Sequence, residues 1–227
     1  MSWTKQVWDK SRKIYDGILE LPFIKELAAG TLSADRFARY IAQDEVYIGN
    51  YGRQMYELAD KMADPADKAM FRAFADSGIE SEKLMHQLLI DRFGIDTAVE
   101  GSAVTREYNA HTQHAVDSGS REIGLAAMLP CMWIYNRVGL HILSIASLEG
   151  NPYKEWIEEY GNEEFTAGVN GVLEMLDSWA GGVSPQVLGQ MDEAYLAAAL
   201  YEYAFWDYGY RGEDGDYSYL QDPCKWI

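Results

Sequence analysis

The chain has 227 residues, 36 of them acidic against 19 lysines and arginines, for a formal charge of −17. That charge repels a phosphate backbone and no Lys/Arg cluster interrupts it, so a nucleic-acid partner is not expected. Nearly half of the residues are hydrophobic, with 16 Tyr and 7 Trp, which supplies a large core and argues against disorder.

Helix punctuation recurs along the chain, and no alternating strand pattern with hairpin turns competes with it. The first helices are expected near 3–19 and 23–29, closed by Gly30. The N-terminal segment has no apolar leader followed by a cleavage site.

The third helix, 34–62, starts at Ser33 and places Asp44, Tyr47 and Tyr51 at i, i+3 and i+7, on one face. Asp44 is either a surface aspartate or a ligand-orienting carboxylate beside two tyrosines. The next helix, 65–93, is capped by Asp64-Pro65 and closed by Gly94. It carries Glu82 four residues before His86, and Glu107 precedes His111 in the same way in the helix 105–118, closed by Gly119. These pairs serve equally as ordinary helix hydrogen bonds. The Glu-x-x-His repeat of di-iron bundles is absent, so no metal site is expected, and phosphate loops and Cys-x-x-Cys motifs are also missing.

The sixth helix, 121–148, follows Ser120 and carries Ala-Met-Leu-Pro-Cys-Met-Trp-Ile-Tyr. Pro130 removes a helical N–H, which predicts a kink or loosening where the Cys131 thiol points out. Cys131 is thus either a nucleophile or a small buried apolar residue, and Tyr135, one turn on, is placed to hydrogen-bond its sulfur. The second cysteine, Cys224, lies in the tail, so a disulfide framework is not expected. No run of about 18 apolar residues predicts a membrane span, and the default compartment is a reducing cytoplasm.

The seventh and eighth helices, 152–160 and 163–180, start at Asn151-Pro152 and after Gly161, with Gly150 and Gly161 as closing residues. The last, 185–208, is capped by Ser184 before Pro185. In it Glu202 is the only charge between Glu193 and Asp207, with Phe205 and Trp206 on the same side as the wall of an aromatic pocket. Burial would keep Glu202 protonated near neutral pH as an acid or base; the other reading is a partly exposed glutamate with a structural hydrogen bond. Residues 211–227 read as an irregular tail placed to cover a site or a subunit contact. With short connections except 94–104 and no linker or repeat, the chain reads as all-α, a single compact helical bundle over 1–227.

With these faces in hand, the chain resembles the TenA family, the thiaminase II type of aminopyrimidine hydrolase, in its cysteine-containing branch. The resemblance spans nearly the whole chain and rests on Gln43-Asp44 with Tyr47, the Glu80/Glu82/His86 spacing, Tyr108 with His111, Leu-Pro-Cys131 with Tyr135, Trp156-Ile-Glu-Glu-Tyr160-Gly, and Tyr201-Glu202-Tyr203-Ala-Phe205-Trp206. It departs at Glu45-Val46 and at Asn162-Glu163-Glu164-Phe165, positions that bear on substrate preference. The resemblance implies a haem-oxygenase-like fold, usually a homotetramer, without a bound cofactor. By position, Cys131 matches the family nucleophile, Glu202 its acid/base and Asp44 the carboxylate that binds the pyrimidine. Tyr47, Tyr108, Tyr135, Tyr160 and Phe205 match its aromatic pocket. The implied reaction converts 4-amino-5-aminomethyl-2-methylpyrimidine to the hydroxymethyl compound and ammonia, with thiamine as a further substrate. Two other classes compete: a non-catalytic pyrimidine-binding or regulatory protein, and a helical di-iron oxidase that would use the two Glu/His pairs.

Overall fold

The local signals named above produce nine helices in the described part of the chain, residues 2–221 of a computed structural model. They are α1 (Trp3–Glu20), α2 (Pro22–Ala28), α3 (Ala34–Asp60), α4 (Pro65–Phe93), α5 (Ala103–Asp117), α6 (Arg121–Ile145), α7 (Lys154–Tyr160), α8 (Glu163–Ala180) and α9 (Pro185–Arg211). No strand occurs among the described residues, so the chain is all-α as expected.

Capping explains most of the boundaries. The side chains of Asp64, Ser120 and Ser184 accept backbone N–H groups from the first turns of α4, α6 and α9. Ser33 occupies the cap position of α3 without a side-chain bond. Asn151 is not a cap: its buried amide donates to the Leu27 and Ala28 carbonyls while its oxygen accepts the Tyr153 N–H, forming a turn that delays α7 to Lys154. Gly30, Gly94, Gly119 and Gly150 take positive φ as expected, whereas Gly161 ends α7 at φ −100°. The long connection before α5 is pinned by Gln43, which donates to the Glu100 carbonyl and accepts from Ser102 N and Thr105 Oγ1.

α6 is the axis of the bundle, packed along α9 and flanked by α5, α7 and α8 around one large apolar cluster. Its residues from Gly124 to Pro130 are all buried. The helix runs unbroken through Pro130, so the expected loosening is not an interruption of the helix. Packing on all sides holds the turn, and the Tyr51 hydroxyl donates to the Met128 carbonyl at 2.8 Å, tying α3 to it. Among the described residues α6 alone is long and apolar enough to cross a membrane, an exception to the expectation of no such run; 72% of that stretch is buried in the bundle.

α6 and α7 approach most closely at Gly139, where an added Cβ would lie 2.5 Å from the Tyr160 carbonyl carbon. Backbone cannot yield as a flexible side chain does. Gly139→Ala is therefore expected to lower stability by about 1–3 kcal/mol, read by denaturant unfolding, because it forces α7 outward.

The tail is less irregular than expected. Helix α9 reaches Arg211, and short 3-10 turns follow at Gly212–Asp214 and Ser218–Gln221. Tyr208 donates to Glu213 and Tyr217 to the Gly212 carbonyl, which folds this segment back onto α9 beside Val104 and Ala204. Residues 222–227, including Cys224, lie outside the described residues.

Candidate active site

Helices α3, α4, α6, α7 and the start of α8 surround a cavity whose wall is mostly apolar, with Ile48, Met55, Phe74, Ile79 and Phe165 among its residues. Into it the bundle places Asp44 from α3, Glu82 from α4, Cys131 and Tyr135 from α6, and Tyr160 from α7. A second cluster meets the cavity at Cys131. In it Tyr47 stacks on Tyr108 with ring centres 4.7 Å apart and packs against Tyr51 and Phe205. The Tyr108 hydroxyl donates to Glu202 at 2.5 Å. Of the eight residues singled out from the sequence, Asp44, Cys131, Tyr135 and Tyr160 line the cavity; Glu202, Tyr47, Tyr108 and Phe205 form the second cluster and do not.

Burial governs the electrostatics. Glu202 is 1% exposed, and burial pushes its pKa up to about 8, against the Tyr108 hydrogen bond and with help from the Asp44 charge. It holds its proton at neutral pH. Cys131 is half-buried, with the cavity on one side; burial, then the charges of Glu202, Glu82 and Asp44, push its thiol up. The resting sulfur is a thiol rather than a thiolate.

Tyr135 does not serve the sulfur as expected. Its hydroxyl pairs with that of Tyr40 at 3.3 Å, and its ring packs on Trp206 at 4.5 Å. Trp206 accordingly supports Tyr135 and does not line the cavity. The hydroxyls nearest in influence to the thiol are those of Tyr47 and Tyr51, from α3.

Asp44 is 2% exposed, and its Oδ2 takes no hydrogen bond from the protein. That atom lies 3.4 Å from Nε2 of His86, whose Nδ1 is bound by Glu45. Burial lowers the His86 pKa, but the flanking Asp44, Glu45 and Glu82 outweigh it and raise it to about 10. His86 is therefore a buried imidazolium bridging two carboxylates. Among the described residues Asp44, Glu82 and His86 bring their ligand atoms within 4.8 Å of one another. Nδ1 of His86 is taken by Glu45 and Glu82 is held by Tyr160, so the trio forms an ion-paired network around Asp44. The other Glu/His pair does not converge at all: Glu107 is exposed, and His111 binds the Ala194 carbonyl through Nε2 at 2.9 Å.

The sequence pairs Glu82 with His86, and its helical spacing also carries a signal for a cavity-facing Glu82. Ala75, Gly78, Ile79 and Glu82 stand at i, i+3, i+4 and i+7, and all four line the cavity.

Comparison with known proteins agrees with this architecture. The aminopyrimidine aminohydrolase of Halalkalibacterium halodurans is 26% identical over 223 residues, covering 96% of this chain and all of the relative. A TenA homologue from Pyrococcus furiosus superposes with a TM-score of 0.86 at 22% identity, over 92% of this chain and 100% of that one. A Shewanella denitrificans domain with a haem-oxygenase-like fold gives 0.66 at 16% identity, over 99% and 97%, so the bundle has that fold. The profile of the TENA/THI-4/PQQC family matches residues 8–212, which is nearly the whole bundle, and the chain belongs to that family.

Proposed function

We propose that this chain is a hydrolase of thiamine salvage that converts 4-amino-5-aminomethyl-2-methylpyrimidine to its hydroxymethyl form and ammonia, and also cleaves thiamine. The observation that carries the reading is a thiol placed between a buried, Tyr108-bound carboxyl and a cavity lined by a second buried carboxylate, Asp44. Relatives named as aminopyrimidine aminohydrolases support it over nearly the full length.

Direct displacement of an amine from the CH2 on an aromatic pyrimidine is slow, and covalent addition to the ring makes it feasible. The Cys131 sulfur bonds to a ring carbon while protonated Glu202 delivers its proton to the neighbouring ring nitrogen and its other oxygen takes the S–H proton. A thiolate need never stand free among the acids. Ring electrons then expel the leaving group, water adds to the exocyclic alkene, and the sulfur departs by the reverse of its addition. Asp44, whose Oδ2 is ion-paired with His86 but takes no hydrogen bond, accepts from the ring's amino group. Tyr135 and Tyr160 face the ring from the cavity wall, and Tyr47, Tyr108 and Phe205 complete the aromatic pocket on the Cys131 side.

In this reading the chain acts as one domain, without a metal or other cofactor, in the cytoplasm. It binds no nucleic acid or membrane, and it assembles as a homotetramer. Exposed apolar side chains such as Leu84, Leu88 and Ile145 support subunit contact. The test is ammonia release from the aminomethylpyrimidine, run beside thiamine at equal concentration. Release of ammonia is the expected result; binding of both pyrimidines with no ammonia and no free thiazole would make this a binding protein instead.

A further inference from the structure

We propose that Glu82 is a second acid–base of this cavity, the group that shares its proton with the departing amine and then takes one from the water that replaces it. The inference rests on the hydrolase reading and names how one class of leaving group is handled.

Three observations support it. Glu82 is the only ionisable residue that α4 contributes to the cavity wall, at the end of the Ala75, Gly78, Ile79 stripe. The Tyr160 hydroxyl donates to its Oε1 at 2.5 Å and fixes the carboxyl at the cavity wall. Finally, Glu202 is fastened to Tyr108 in the cluster that does not line the cavity, so one carboxyl is not placed to serve both the ring nitrogen and the exocyclic carbon. Cys131 lines the cavity together with Glu82, and the Glu202 cluster meets the cavity at Cys131.

The surroundings keep Glu82 near the middle of its titration at neutral pH. Burial and the Asp44 charge raise it; the His86 cation and the Tyr160 hydrogen bond oppose them, with Glu159 adding a further upward push, and it rests at about 7. The groups facing it are thus Asp44 from α3, His86 on α4, Cys131 from α6, and Glu159 and Tyr160 from α7.

The proton balance separates the two substrates. An amine bonded to the exocyclic carbon cannot leave as an amide anion. Whether it binds as the amine facing protonated Glu82 or as the ammonium facing the carboxylate, the pair holds the same proton, which departs with NH3. The Glu82 carboxylate then takes a proton from water as the oxygen bonds to the exocyclic carbon, and the carboxyl is restored. The sum is amine plus water giving alcohol plus ammonia. Thiazole, by contrast, leaves thiamine neutral with the bonding pair and needs no proton.

The experiment measures kcat for both substrates in wild type, Glu82→Gln and Glu202→Gln. Glu82→Gln is expected to lower ammonia release about 100-fold, and by at least about tenfold more than thiamine cleavage, whereas Glu202→Gln lowers both alike. Tyr160→Phe, which keeps the carboxyl but removes its hydrogen bond, should shift the ratio the same way by a smaller factor. Equal losses on both substrates, or no loss, in Glu82→Gln would overturn the assignment even with a fully active wild type. A wild type inactive on both substrates would refute the hydrolase reading itself.

Discussion

Cys131→Ser is expected to lower kcat on both the aminomethylpyrimidine and thiamine by at least about 1,000-fold while leaving the helical circular dichroism and pyrimidine binding intact. Serine is close in size, so the neighbouring helix turn with Pro130 and Met132 has no reason to repack. The chemistry changes more than the shape. Oxygen is a harder and more basic centre than sulfur, and it would have to attack from a position where burial and three acids already oppose an anion. It is also a poorer group to eject when the adduct collapses. Steady-state ammonia release together with ligand binding by calorimetry decides the matter. Undiminished turnover in Cys131→Ser would remove the covalent step from the mechanism.

Glu202→Gln should reduce kcat on both substrates by about 100- to 10,000-fold, with pyrimidine binding still measurable. Glutamine keeps the Tyr108 contact as an acceptor but cannot carry the proton between sulfur and ring nitrogen. The pH dependence has a definite sign. Because the working form of Glu202 is protonated and its pKa is about 8, wild-type activity should fall as pH rises through about 8. The same shift acts on stability. Between the ordinary 4.5 and about 8 the folded chain holds a proton that the unfolded chain has released, so Glu202 makes stability fall as pH rises across that window. Glu202→Gln should flatten that slope, measured by denaturant unfolding at several pH values. A variant with unchanged turnover would sink the acid–base role.

Helix positions were legible because their causes are local. Asp64, Ser120 and Ser184 cap their own helices, and glycines such as Gly94 stop them whatever the rest of the chain does. Asn151 shows where local reading stops: Asn-Pro looks like a cap, but the Leu27 and Ala28 carbonyls compete for its side chain from α2. Tyr135 is a similar case, since its hydroxyl reaches a partner on α3 rather than the cysteine one turn away.

By itself, then, the sequence determined an all-helical chain, its connections, and the faces bearing Asp44, Cys131 and Glu202, because helical periodicity and capping act over a few residues. Only the tertiary structure decided that both acids are buried, that His86 holds a charge beneath Asp44, and that Glu82 shares the cavity with the thiol. Desolvation and charge pairing depend on which helices stand side by side, and helices α3, α4, α6, α7 and α9 meet there from positions as much as 158 residues apart, as Asp44 and Glu202 are.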